Sequence, residues 1–141
     1  MRAAFSAVKQ ILCVAAVLAC AAVAFCMTRL PVFEQGNAYE LYYTANSSAQ
    51  SETTSCPLTV KLAHKTAGES ARYDGDCFEE LFARYRATLV FCESAAGVEN
   101  YYCYSPLLGD PVDLGGRLVN LHIAVSAKQT VAGTPLIFGG Y

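Results

Sequence analysis

Only a few residue types in this 141-residue chain can do acid–base, nucleophilic or metal chemistry, and they are thinly spread. Its two histidines are His64 and His122. His122 lies in Arg117 to Ala127 (RLVNLHIAVSA), which alternates as a strand does. Val119, Leu121, Ile123 and Val125 make one face, and Leu118, Asn120, His122 and Ala124 make the other. With the first face read as the core side, His122 is predicted to be accessible beside Asn120, where an imidazole can serve as acid, base or ligand. His64 ends the Leu58/Val60/Leu62 series and reads as a structural strand-end residue. A Cys–His nucleophile would need Cys92 or Cys103 within hydrogen-bond reach of His122 and a lowered thiol pKa. The acid pairs Asp74/Asp76 and Asp110/Asp113 read as a helix cap and a turn. No G-x-S-x-G, H-E-x-x-H, P-loop or G-x-G-x-x-G occurs, so no cofactor and no metal are expected.

Tyrosine is the other notable side chain. Tyr101, Tyr102 and Tyr104 follow one another in one strand-like stretch, and Tyr39, Tyr42 and Tyr43 in another. Alternation puts tyrosines on both faces of each strand, so a ring left exposed would suit a glycan or peptide, against the plainer reading that tyrosine favours half-buried strands. Together with Asn120 and His122, Tyr101, Tyr102 and Tyr104 form the predicted binding set. Four of the seven cysteines, Cys56, Cys77, Cys92 and Cys103, lie in the same region. They allow three disulfide pairings, or none. Gaps of 20, 14 and 10 residues without a C-x-x-C make a zinc or redox motif a poor fit.

These residues follow a leader. Ile11 to Met27 is seventeen apolar residues in a row, preceded by Arg2 and Lys9. A basic start, an apolar core and Ala22-Val23-Ala24 form a secretory-signal pattern with cleavage near Phe25. The same stretch also fits a short uncleaved anchor, with residues 11–27 in the membrane and the N-terminus in the cytoplasm. A lipid on Cys20 is a third reading. Each predicts an extracytoplasmic domain, secreted or membrane-anchored, in an environment that permits disulfides. Twelve acidic and eight basic residues remain beyond the two leading cations, a net charge near −4. With no basic stripe, nucleic acid is excluded as the expected partner.

The organisation predicted is 1–27 leader or anchor, 28–36 tether, and 37–141 a single domain. Strands are expected at Asn37 to Ala45, Pro57 to Lys65, Ala87 to Glu93, Val98 to Ser105, Arg117 to Ala127 and Thr134 to Phe138. In the second, Leu58, Val60 and Leu62 should point inward and Thr59, Lys61 and Lys65 outward. Asn46 to Ser55, Thr66 to Gly75, Pro106 to Gly116 and Lys128 to Gly133 read as loops and turns, the first carrying an N-glycosylation triplet, Asn46-Ser47-Ser48. The helix expected at Cys77 to Arg86 has Asp76 as N-cap, Glu79 completing a capping box, and Phe78, Leu81, Phe82 and Tyr85 as its apolar stripe. Short links exclude parallel crossovers. The fold class is therefore α+β, with a mostly antiparallel sheet of five or six strands and one amphipathic helix packed on one face.

The order of a capped helix, a strand, NYYCYSPLL, VNLHIAV and GTPLIFGGY resembles the YwmB-like proteins, exported bacterial proteins with a fold like the TATA-box-binding protein. The resemblance lies in Tyr101 to Leu107, Val119 to Val125 and Gly133 to Ile137, within roughly the last 70 residues. Ala38 to Lys65 does not share it. It implies an exported bacterial cell-envelope protein and no particular reaction or DNA binding. The residues themselves point to a non-catalytic binding module with a protein or cell-wall partner. The alternative they leave open is a small cell-surface enzyme using His122 with a thiol or carboxylate.

Overall fold

A computed structural model describes residues 2–44 and 50–140. It divides into two compact units, 1–30 and 31–141. The first holds helix α1 (Arg2–Met27), whose Val8–Met27 stretch is long and apolar enough to cross a membrane. An N-terminal helix of this kind fits either a signal sequence or an anchor. The glycosylation triplet at Asn46 lies outside the described residues.

The second unit is α+β. One antiparallel sheet of seven strands contains β1 (Ala38–Tyr42), β2 (Ser51–Thr54), β3 (Gly68–Asp74), β4 (Thr88–Ala95), β5 (Val98–Tyr104), β8 (Leu121–Val125) and β9 (Gln129–Thr134), in the order β2-β1-β3-β9-β8-β5-β4. The short pair β6 (Val112–Asp113) and β7 (Leu118–Val119) forms a separate ribbon. Two helices join them, α2 (Pro57–Ala63) and α3 (Phe78–Arg84). The sheet thus has more strands than the five or six expected, and the domain has a second helix.

The differences have local causes. Pro57 to Lys65 is no strand: Pro57 occupies the first helical turn, where its missing N–H costs nothing. The residues it buries are Pro57, Val60 and Lys61, at i, i+3 and i+4, leaving Leu58 and Leu62 exposed. Lys61, expected to face water, ion-pairs with Glu69 instead. Part of the polar stretch before it is β2, an edge strand zipped to β1. Thr66 to Gly75, read as turns, contains β3 in mid-sheet. Its polar residues are paired by the fold: Glu69 with Lys61 and two backbone N–H groups, Ser70 with the Tyr42 hydroxyl. Of Lys128 to Gly133, read as a turn, all but Lys128 likewise belongs to β9, while Pro135 to Phe138 leaves the sheet. Helix α3 starts one residue late, with Cys77 in place of Asp76 at the N-cap, and ends two residues early, at Arg84. Asp76 accepts a bond from the Phe78 N–H, and the Thr130 hydroxyl accepts one from the Cys77 N–H.

Strand register assigns the faces. Tyr39, Ala71, Ala132, Ile123, Tyr101 and Cys92 form one row across the sheet, and Glu40, Ser70, Gly133, His122, Tyr102 and Phe91 form the next, on the opposite face. The first face holds the core. Leu81 of α3 and Tyr85 at its C-terminal cap close over it, Phe78 lies on Tyr101 with ring centroids 4.1 Å apart, and Phe33 meets Tyr85 edge-on. Phe33 belongs to the expected tether, which is pinned from Val32 onward. Glu69 takes its N–H groups, the Tyr85 hydroxyl donates to the Val32 carbonyl, and the Tyr73 hydroxyl donates to that of Glu34.

Candidate functional site

The hairpin β4–β5 sets the geometry of the second face. Ala96 and Gly97 both have positive φ, 53° and 80°, as a two-residue turn with the twist of the flanking strands requires. That turn fixes the register that pairs Phe91 with Tyr102 and Glu93 with Asn100. On the other side of β5, Tyr102 pairs with His122 of β8 and Asn100 with Ala124. Four side chains from four segments therefore stack in a column. The Arg117 guanidinium lies 5.0 Å from the Phe91 ring centroid, Phe91 stacks on Tyr102 at 4.3 Å, and Tyr102 stacks on His122 at 4.3 Å. The Tyr102 hydroxyl donates to Glu93 at 2.8 Å.

His122 closes the inner end of this column, and the expectation that it is accessible is overturned: it is 2% exposed. The second face is not left to solvent, because the chain after β9 folds back over it. Ile137 N–H donates to His122 Nδ1 at 3.4 Å, Gly139 N–H donates to the Tyr42 hydroxyl, and Phe138 packs edge-on against Tyr42. Gly133 lets the segment pass, since a Cβ there would sit 2.7 Å from Ile137 Cγ1. With Nδ1 accepting, Nε2 donates to Asn100 Oδ1 at 3.0 Å. Burial depresses the imidazole pKa to about 4. The ring is thus a neutral structural hub at ordinary pH, and its two nitrogens are committed to an amide and a backbone N–H.

A Cys–His pair is not assembled from the cysteines considered. Cys92 pairs with Tyr101 and Cys103 with Leu121, both on the core face, opposite His122. Cys103 is fully buried and its thiol is pushed up to about 11. Cys56, Cys77, Cys92 and Cys103 are all free thiols in this structure. Among the described residues no group of three or more His, Cys, Asp or Glu side chains is placed to hold a metal ion.

The five predicted binding residues do not converge. Tyr102 and His122 touch, but Tyr101 lies on the core face beneath Phe78. Asn120 is 1% exposed; its amide donates to the Ser105 and Gly109 carbonyls, and its Oδ1 accepts from the Ser105 N–H. It clamps the loop after β5. Tyr104 is exposed near the end of that strand. The residues missed are Phe91, Arg117, Glu93 and Asn100. Phe91, Glu93 and Asn100 could have been found by counting back from the Ala96-Gly97 turn. Arg117 carries no such signal.

At the outer end of the column lies β4, the last strand of the sheet. No described strand pairs with its outer edge. Thr88 and Leu89 are exposed, Val90 and Phe91 half-buried, and Cys92 to Ala95 exposed. The opposite edge, β2, is four polar residues long. Away from this edge, a concavity of about 330 Å³ lies beside the buried Lys61–Glu69 pair and is lined in part by Val32, Thr66, Asp110 and Pro135. Comparison with known proteins finds no matching family model, no matching curated protein and no matching solved structure.

Proposed function

We propose that this chain is an extracytoplasmic, envelope-associated module that works by binding through the open β4 edge and the adjoining aromatic column, and not by catalysis. A single observation carries the reading: an eight-residue edge strand, rich in apolar residues, without lysine or proline and carrying one acid, Glu93, presents an outer row of backbone groups that no described strand pairs. Soluble proteins ordinarily blunt such edges; here the irregularity between Leu89 and Phe91 and the charge of Glu93 do so only in part, which leaves Phe91 to Ala95 suited to strand addition by a partner. Phe91 and Tyr102 beside it offer rigid ring area for the partner's alternate side chains. The apolar leader supports placing this work outside the cytoplasm, with α1 as signal or anchor. The resemblance to exported YwmB-like proteins points the same way and adds no reaction.

The test is site-specific photocrosslinking in the protein's own cell envelope, with a photoreactive residue at position 93 or, as control, at position 52 of β2. Discrete adducts from position 93 and none from 52 are expected. Equal labelling from both edges, or none from β4, would remove the reading.

A further inference from the structure

We infer that the partner of β4 is the β4 strand of a second copy of this chain, giving a two-fold dimer with one continuous antiparallel sheet. The inference rests on the reading of β4 as the binding edge. Two antiparallel edge strands related by a two-fold axis must have that axis perpendicular to the sheet, so one residue faces its own counterpart and every opposed pair shares a face. Few registers then exist, and side-chain chemistry separates them. Centring on Glu93 sets two carboxylates directly opposite each other, which is unfavourable. Centring on Val90 or Phe91 brings the irregularity between Leu89 and Phe91 onto or beside the axis, where the ladder is broken.

Centring on Cys92 avoids both. It opposes Phe91 to Glu93 on one face and brings Val90 against Ser94 on the other, so the irregular residue meets a small one at the flank, and the ladder stops short of Leu89, which the irregularity turns to the face opposite that of Ala95. It also places each Glu93 carboxylate beside the partner's Phe91, the ring over which Arg117 lies at 5.0 Å. The cation that closes the aromatic column in one copy then meets the edge acid of the other, twice by symmetry. Charge complementarity thus selects a second copy, and this register, as the occupant. Both Cys92 thiols fall opposite each other on the core face, beyond Tyr101.

That position supplies a reporter. In the full chain in detergent micelles, with Cys13, Cys20, Cys26 and Cys56 changed to Ser, diamide should link two Cys92 side chains. The two thiols form one S–S bond, and diamide takes up their two protons and two electrons. A species of twice the 15.1 kDa chain is expected, and Cys92→Ser should abolish it. In the Cys92→Ser background, Phe91→Cys and Glu93→Cys chains should link when mixed and not separately. Arg117→Glu or Glu93→Arg alone should weaken association about fivefold, and the pair together should restore it. A monomer at all concentrations, or links in another register, would overturn the dimer. Photoadducts from position 93 of some other mass would also overturn it while leaving the edge reading intact; no β4 adduct would remove both.

Discussion

At the scale of single residues, His122 shows how burial converts a reactive group into a structural one. A strand histidine beside an asparagine reads as an accessible acid or base until the chain's last residues cover it. Its folded pKa, about 4, lies below the ordinary 6.5. Between those values the unfolded chain binds a proton that the folded chain refuses, so the neutral ring's contribution is full above pH 6.5 and lost as pH falls toward 4. The loss is on the order of 3 kcal/mol. The urea midpoint should therefore drop between pH 7.5 and pH 4.5, and the drop should shrink in His122→Gln. Equal pH dependence in both proteins would show that the imidazole is not the group responsible. Glu69 illustrates the same rule with opposite charge: a buried carboxylate in a central strand is tolerated because Lys61 and the N–H groups of Val32 and Phe33 meet it.

Among the elements, the β4–β5 hairpin does most to organise the candidate site, and its turn is not optimal. Ala96 occupies a left-handed conformation that costs an alanine about 1 kcal/mol and costs glycine nothing. Ala96→Gly should raise the thermal midpoint without moving the register, read from the Phe91–Tyr102 contact by nuclear Overhauser effects. A lower midpoint would mean that the turn is held by something other than its own backbone. This hairpin was legible because two runs of apolar and aromatic residues are joined by a short link containing Gly97. Helix α3 was legible too, from its apolar stripe, although its start moved by one residue. Strands β2, β3 and β9 were not. Their residues, SETT, GESARYD and QTVAGT, carry turn-like or polar side chains whose partners lie elsewhere in the chain.

For the whole molecule, the boundary between leader and domain matters most. The compact unit begins at Pro31, and Val32 to Glu34 are bound into it by Glu69, Tyr85 and Tyr73. A chain starting at Pro31 should therefore unfold cooperatively. One starting at Gly36 loses the buried Phe33 ring and leaves Glu69 short of two donors. Its stability should fall by roughly 3 kcal/mol or more, since removing a buried Phe alone costs about that much. Urea titration of the two truncated chains decides it, and equal midpoints would show that residues 31–35 are a true tether.

By itself the amino-acid order determined what depends on neighbours along the chain: the apolar leader, the α3 stripe, the β4–β5 hairpin, the alternation through Val119 to Val125, and with them the α+β class. Tertiary structure alone decided which polar residues are buried and what covers each face of the sheet. Lys61, Glu69, Ser70, Asn120 and His122 look like surface residues because their partners lie elsewhere in the chain, at Val32, Phe33, Tyr42, Ser105 and Ile137 among others. A polar group enters a protein interior only where a partner awaits it. Periodicity reports the side a residue faces, and the fold alone says what covers that side.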